Sequence, residues 1–246
     1  MTAFWIALQF LTTFPVQLKA MPTPQQNGQS LLFYPVVGLM IGVILFAIAS
    51  VLHAVPIVLL SSVILVIWIW LTGGLHLDGL ADTADAWVGG FGDAERTLKI
   101  MKDPACGPIG VLSLIIICIL KWSAIYLLLQ KQMYIALLLF PVLGRVAPLI
   151  LFLTTNYVRA QGLGSSIAST MPRKSAWLLV MVIVCGSFYF AWLGLIACMS
   201  MMIGLWYLRR KFIQRIGGIT GDTVGASIEI VECIILLVFT MGSFYL

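Results

Sequence analysis

Long apolar runs, separated by short polar segments, dominate the chain. Four of them approach the roughly 20 residues that a helix needs to cross the hydrocarbon core of a bilayer. These runs cover residues 31–52, 55–71, 109–129 and 133–153. Their apolar positions are consecutive, whereas the strands of a membrane barrel alternate apolar and polar residues. The pattern therefore predicts transmembrane α-helices.

A fifth run, residues 176–208, is too long for a single crossing. At 1.5 Å per residue it would form a helix of about 50 Å. We therefore expect two short spans that meet near residues 192–194, followed by a last span over residues 223–246, which makes about seven spans. The apolar start, residues 1–14, is short for a crossing, and we expect an N-terminal helix that lies along the membrane interface.

The composition supports this class of protein. Of the 246 residues, 61% are hydrophobic and 9% are charged, and the mean hydropathy is +1.09. A soluble domain usually has about 25% charged residues, and a disordered chain has low hydrophobicity and high charge. The five cysteines and two histidines do not have the spacing of a zinc site. We expect one all-α integral membrane domain over residues 1–246.

The basic residues predict the orientation of the spans. If the amino terminus is cytoplasmic, seven spans place eleven basic residues inside and only Lys131 in the loops outside, as the positive-inside rule requires. The inside residues are Lys19, Arg96, Lys99, Lys102, Arg159, Arg173, Lys174, Arg209, Arg210, Lys211 and Arg215. One unbroken span through residues 176–208 would move the cluster at 209–215 outside, so the charges also favour two spans there.

Six of the nine acidic residues lie between Asp78 and Asp103. In the sequence GGLHLDGLADTADA, residues 73–86, Asp78, Asp82 and Asp85 are spaced i, i+4 and i+7, which places them on one face of a helix. Like charges at this spacing destabilise a helix, and more so near a membrane. A cation among them removes this penalty. Mg²⁺ is the natural candidate, because it prefers oxygen ligands and is usually held by a few carboxylates and substrate phosphates.

Other interpretations of this run are a solvated polar face, a helix cap by Asp78, or the coupling site of a cation transporter. Capping accounts only for the first aspartate, and a solvated face does not need the apolar residues Leu77 and Leu80 opposite. A metal site is therefore the favoured interpretation. His76 is as compatible with a packed group as with a ligand.

A second acidic segment repeats part of the first. GGITGD at residues 217–222 has the spacing of GGLHLD at residues 73–78, and the same offset aligns Glu229 with Asp85. On the predicted topology both segments emerge on the cytoplasmic side, where two helices can face each other around a shared metal site. The small residues that follow Asp222 allow the helices to approach closely.

A basic, turn-rich segment follows the aspartates. Arg96, Lys99 and either Lys102 or Asp103 are three or four residues apart, so one helical face can present cations to an anion. Carboxylates that hold a divalent ion beside Arg and Lys are what phosphoryl transfer requires. A purely topological role of these cations is the competing interpretation. Arg145 lies within the fourth span, where a buried charge indicates function, and we expect it to pair with an acid of the aspartate cluster.

The motifs of the chain resemble those of one family. They are LQFLT at 8–12, FYPVVG at 33–38, GGLHLDGLADTADA at 73–86, IMKD at 100–103 and GGITGDT at 217–223. In these motifs and in length the chain resembles the cobalamin synthase family, the adenosylcobinamide-GDP ribazoletransferases. The resemblance implies a magnesium-dependent transferase that joins GDP-activated (adenosyl)cobinamide to α-ribazole or α-ribazole 5'-phosphate and releases GMP. This reaction is a final step of cobalamin (vitamin B12) biosynthesis at the bacterial inner membrane.

The implied activity assigns hypothetical roles to the candidate residues. The expected Mg²⁺ ligands are Asp78, Asp82, Asp85 and Asp222. The general base is either Asp82 or Glu229. The expected substrate-binding residues are His76, Arg96, Lys99, Lys102, Asp103 and Arg145, of which Arg96, Lys99 and Lys102 would take the nucleotide phosphates.

The expected partners are the two substrates and the lipid bilayer, with no nucleic acid, and the active site is expected to face the cytoplasm. A homo-oligomer, or a complex with other enzymes of cobalamin assembly, is left open. Two alternatives remain. A cation-coupled transporter is suggested by Arg145, Glu232 and the partial repeat. Another enzyme like the CDP-alcohol phosphotransferases would also place aspartates on facing membrane helices, but Asp82 stands where that pattern has an Ala-Arg pair.

Overall fold

The computed structural model describes residues 2–18 and 20–245. Over these residues the chain is helical apart from turns, three short 3-10 segments and one isolated bridge between Tyr157 and Ile219. The helices are α1 Thr2–Leu11, α2 Pro24–Ser30, α3 Tyr34–Val51, α4 Ile57–Thr72, α5 Leu75–Gly89, α6 Ala94–Ile100, α7 Pro108–Gln130, α8 Leu139–Thr154, α9 Leu163–Thr170, α10 Arg173–Ser187, α11 Ala191–Ile216 and α12 Gly221–Gly242. The predicted all-α fold is confirmed. Met1, Lys19 and Leu246, which belong to the predicted N-terminal helix, the predicted basic residues and the predicted last span, lie outside the described residues.

Several helical stretches are long and apolar enough to cross a membrane. In the described part of the chain there are five, namely Pro24–Val51, Pro108–Gln130, Tyr134–Thr154, Arg173–Ile216 and Gly221–Gly242. The helices α4 and α5 meet this criterion only together, and they are bent by 85° relative to each other. The protein is thus a multi-pass membrane protein. Length and composition alone count five or six spans, whereas the sequence predicts about seven.

The stretch Arg173–Ile216 contains a break. A 3-10 turn, Phe188–Phe190, separates α10 from α11. The next residue, Ala191, has φ 49° and ψ −130°, which is not a helical conformation. The break therefore lies a few residues before the position predicted from the sequence, residues 192–194.

Helices α10 and α11 run in opposite directions. Arg173 at the start of α10 and Arg209 late in α11 both donate hydrogen bonds to backbone carbonyls at the C-terminal end of α8. The turn between them packs Phe190 against Phe239, near the end of α12, with 5.7 Å between ring centroids. The chain therefore travels the length of the bundle and returns. This arrangement is compatible with the seven predicted crossings.

One end of the bundle collects the basic residues. The C-terminal end of α8 and the N-terminal end of α12 lie at this end of the bundle, which we call the site end. At this end Arg159 pairs with Asp222, and Arg215 donates a hydrogen bond of 2.9 Å to the carbonyl of Trp87. At the opposite end Lys131 donates to a backbone carbonyl close to the end of α12. The two ends therefore differ in charge as the sequence predicts.

Helices α5 and α12 pack against each other, which brings the two acidic segments together. At Gly79 the approach is tight, because a Cβ atom there would lie 2.8 Å from the carbonyl oxygen of Asp222. Leu80 of α5, Ile117 of α7 and Ala226 of α12 form a small apolar cluster behind this contact. Glycine at position 79 is therefore required for the approach of the two helices.

Candidate active site

Helix α5 carries the three predicted aspartates. It begins after Gly73 and Gly74, whose φ angles of 61° and 69° lie in the left-handed region that favours glycine. This turn bends α5 away from α4 by 85°, so α5 does not continue the α4 span across the membrane. Asp78 is exposed, and Asp82 and Asp85 are half-buried.

A cavity of about 310 Å³ lies at the site end. Its walls come from α1, α3, α5, α8, α9, α12 and the loop before α9. Asp78 in the first turn of α5 and Asp222 in the first turn of α12 both line it. The structure therefore brings together two acidic segments that are remote in the sequence.

Asp82 lies in the electrostatic field of the other aspartates. Partial burial, together with the negative charges of Asp78, Asp222 and Asp85, raises the pKa of the Asp82 carboxyl from 3.8 to about 6, against the opposing effect of Arg159. Mutual repulsion of this kind indicates a place where positive charge is favourable.

Asp85 has two backbone partners. Its carboxylate accepts hydrogen bonds from the amides of Gly107, at 2.7 Å, and Gly110, at 2.8 Å. These bonds fix the loop before α7 and the first turn of that helix. Within residues 2–18 and 20–245, no three His, Cys, Asp or Glu side chains are gathered closely enough to hold a metal ion. The predicted ligands thus share a region without forming a closed ligand shell.

Arg159 belongs to the site, although the sequence predicted only a topological role for it. Its Nη2 atom lies 2.6 Å from Oδ2 of Asp222, and it lines the cavity. Two backbone hydrogen bonds hold its segment against the start of α12, one from Val158 to Ile219 and one from Ile219 to Asn156, both 2.9 Å. The sequence signal was available, because a basic residue just after the fourth span lies on the same predicted side as the aspartates.

The basic segment lies apart from the cavity. Arg96, Lys99, Lys102 and Asp103 line a separate surface depression that includes neither Asp78 nor Asp222. The guanidinium of Arg96 lies 5.0 Å from the ring centroid of Phe91. The Oδ1 atom of Asp103 accepts a hydrogen bond of 3.0 Å from the amide of Ala105, which shapes the turn before α7. Phosphate binding by this segment stays a prediction.

Four charged residues form a buried cluster inside the bundle, and they correct two expectations. The Nζ atom of Lys121 lies 2.6 Å from Oε2 of Glu229 and 2.6 Å from Oε2 of Glu232. Arg145 pairs with Oε1 of Glu232. Arg145 therefore does not pair with an acid of the aspartate cluster. Glu229 is bound to Lys121 and is not a free carboxylate that could serve as the base. In an apolar interior a charge is costly without a close opposite charge, and these four satisfy one another.

Lys121 was missed by the sequence analysis, although a lone lysine in the apolar run 109–129 is an intramembrane charge by the same reasoning as Arg145. The cluster weakens the transporter interpretation. Arg145 and Glu232, which suggested it, neutralise each other.

His76 connects the buried cluster with the cavity. It is 2% exposed and lines the cavity wall. Its Nδ1 atom lies 3.4 Å from Nη2 of Arg145. His76 and Asp78 therefore line the same cavity, and a contact of His76 with substrate stays a prediction.

Together the fold and the site define a polytopic α-helical membrane protein with a carboxylate-lined cavity at one end of its bundle. A family model for cobalamin-5-phosphate synthase matches residues 3–240. The chain therefore belongs to the cobalamin-5-phosphate synthase family.

Curated relatives agree with this assignment. A protein named adenosylcobinamide-GDP ribazoletransferase from Acinetobacter baumannii is 57% identical over 246 residues, which is 100% of both chains. Proteins of the same name are 50% identical in Stutzerimonas stutzeri, over 94% of this chain and 95% of the relative, and 48% identical in Pseudomonas fluorescens, over 96% and 98%. No solved structure matches the chain.

Proposed function

We propose that this protein is a membrane transferase that joins GDP-activated (adenosyl)cobinamide to α-ribazole or α-ribazole 5'-phosphate with release of GMP. This is the reaction expected for the final step of cobalamin biosynthesis. Membership of the family and the name shared by the full-length relatives support the proposal. The structural observation that carries it is the cavity that Asp78 and Asp222 line together.

In this reaction a ribose hydroxyl of ribazole attacks the phosphorus atom that is linked to cobinamide. A new P–O bond forms, the bond to the phosphate of GMP breaks, and the hydroxyl proton needs an acceptor. Asp82 is the candidate acceptor, because it is a half-buried carboxylate in the field of Asp78 and Asp222, and it would serve as the base through an oxygen that the metal leaves free. Glu229, the other candidate from the sequence, is bound to Lys121.

Mg²⁺ is the proposed cofactor, and Asp78, Asp82 and Asp222 would hold it, with Asp85 beside them. The residues fit such an ion in their chemistry, because all donors are carboxylate oxygens and the repulsion at Asp82 favours a cation. They are farther apart here than a closed ligand shell requires, so they would move towards the ion when it binds. When bound, the ion would withdraw charge from the diphosphate.

Cationic side chains have two proposed tasks. Arg159 holds Asp222 in position through their hydrogen bond and adds positive charge to the cavity wall. Arg96, Lys99 and Lys102 would bind the nucleotide phosphates from their surface depression.

The proposed location is the bacterial inner membrane, with the site end facing the cytoplasm. The basic residues at the site end support this orientation, because cytoplasmic loops carry the excess of Lys and Arg.

The proposal is tested with the purified protein in lipid, supplied with GDP-cobinamide, α-ribazole and magnesium. We expect GMP and a corrinoid product that contains ribazole, both identified by mass spectrometry. Asp82→Ala is expected to abolish turnover without preventing membrane insertion, and Lys174→Met, at an exposed position of α10, is the control. GMP release without incorporation of ribazole would contradict the proposal.

A further inference from the structure

The cavity at the site end has an apolar part and a polar part. Its apolar walls include aromatic rings from two stacked pairs. Phe10 of α1 is stacked on Tyr34 of α3, and Phe152 of α8 is stacked on Tyr157, with ring centroids 6.3 Å and 5.8 Å apart. Such walls suit a flat apolar ring system.

The polar part contains Asp78, Asp222 and Arg159. These are the residues to which the proposed function assigns the reacting phosphate. A ligand in the cavity would therefore direct its polar end towards the reaction and its apolar end towards the rings.

His76 adds a specific requirement. A guanidinium has only hydrogen-bond donors, so the contact from Arg145 requires Nδ1 of His76 to accept and places the proton on Nε2. The Nε2 atom is buried and has no hydrogen-bond partner among the described residues. A buried donor without a partner is unfavourable. His76 lines the cavity but Nε2 has no open surface towards it, so a rotation of the ring on ligand binding would bring this donor to an acceptor atom of the ligand.

The size of the cavity restricts the ligand. At about 310 Å³ it is at the lower limit of pockets for drug-sized molecules, roughly 300–1,000 Å³. A corrinoid is far larger. A guanine base is small enough, but its polar edge would need Asp222 and Arg159 as partners, and the proposed function assigns these residues to the reacting phosphate.

We propose that this cavity is the binding site of the acceptor nucleoside, with the benzimidazole ring of α-ribazole between the aromatic walls and its ribose towards Asp78 and Asp222. This inference rests on the proposed function and adds the location of the acceptor. The corrinoid and the guanosine of the donor then bind outside the cavity. His76 donates from Nε2 to an acceptor atom of the nucleoside, and Arg145 sets the tautomer that makes this possible.

Direct binding tests the location without turnover. The protein in lipid nanodiscs is equilibrated with α-ribazole alone, and the bound fraction is measured by dialysis. Leu163→Trp places an indole in the cavity from α9, whereas Ser169→Trp is the matched control on an exposed position of the same helix. We expect Leu163→Trp to weaken binding by about tenfold or more and Ser169→Trp to leave it unchanged. Equal binding by the two variants would overturn the proposal.

Two further variants test His76. Gln can keep a donor close to the position of Nε2, whereas Leu cannot. We expect His76→Gln to retain most of the affinity and His76→Leu to lose roughly 5- to 100-fold, at thermal midpoints that show both variants to be folded. Equal affinities for α-ribazole in two folded variants would remove His76 from the site.

Steady-state kinetics separates this inference from the proposed function. If the wild-type protein forms product and Leu163→Trp raises KM for α-ribazole but not for GDP-cobinamide, both hold. If Leu163→Trp raises KM for GDP-cobinamide instead, the cavity belongs to the donor, and the inference is wrong while the proposed function stands. If the wild-type protein forms no product from the two substrates, the proposed function itself is wrong.

Discussion

Arg159 donates a hydrogen bond of 2.6 Å to Asp222 and so joins the segment after α8 to the first turn of α12. The pair is partly exposed, with 27% and 20% of the two side chains accessible. A partly exposed ion pair contributes little to stability, so its main effect is on the position of the Asp222 carboxylate beside Asp78.

Replacing Arg159 by Met is therefore expected to impair activity more than folding. We expect turnover to fall by roughly 10- to 100-fold, because a small displacement of a reacting group is enough for such a loss. Arg159→Lys should recover part of the activity. Lys174→Met, which changes an exposed cation at the site end, is the control and should behave as wild type. A similar loss in both Met variants would show that only the net charge matters.

Asp82→Asn is expected to stabilise the magnesium-free protein while it abolishes turnover. Partial burial and the neighbouring carboxylates raise the pKa of Asp82 to about 6, so its ionised form is disfavoured in the folded state. A raised carboxyl pKa means that the folded state binds more protons than the unfolded state, and stability is lost as pH rises from about 4 to about 6.

This prediction is measured as the difference in thermal midpoint between Asp82→Asn and wild type. The difference should grow as pH rises towards about 6 and stay constant above it. Glu95→Gln, at an exposed position, should show no such dependence. A difference that shrinks with rising pH would contradict the arrangement of carboxylates described above.

Asp85 is expected to act through the backbone of the loop that it holds. Asp85→Ala removes the acceptor of the Gly107 and Gly110 amides. Hydrogen exchange at these two amides should become faster by roughly tenfold or more, since each loses a charge-assisted hydrogen bond. Exchange in α9 serves as the internal control. Unchanged exchange at both amides would show that the loop is held by other contacts.

We expect the buried charge cluster to affect the stability of the folded protein. Lys121→Met leaves Glu229 and Glu232 without their shared cation, and removal of one member of a buried ion pair costs about 3–5 kcal/mol. The double variant Lys121→Met, Glu229→Gln should regain part of this loss, because one uncompensated charge is removed. Thermal midpoints in detergent measure both effects, with Lys174→Met as the control. A double variant less stable than Lys121→Met would contradict the pairing.

The sequence predicted the parts of the fold that follow from local pattern. The apolar runs located the membrane helices, and the spacing of Asp78, Asp82 and Asp85 located α5. The length of residues 176–208 required a break, but its position depended on Ala191, whose positive φ has no signal in an apolar run.

The sequence predicted the candidate site less completely, because pairing of side chains depends on which helices become neighbours. The repeated Gly-Gly and Asp spacing indicated that Asp78 and Asp222 meet. It could not show that Glu229 faces Lys121, since that contact requires the packing of α12 on α7. Arg159 belongs to no sequence motif. It lies at the site because backbone hydrogen bonds hold its segment against Ile219.

The central claim is that carboxylates from α5 and α12 act together on one phosphate transfer. The most direct test compares the wild-type protein with Asp78→Asn and Asp222→Asn, each in lipid with GDP-cobinamide and α-ribazole, over a magnesium titration. We predict that wild-type release of GMP depends on magnesium and that each variant loses at least roughly 100-fold in turnover while its thermal midpoint is maintained. Undiminished turnover in either folded variant, or GMP release that is independent of magnesium, would contradict the account.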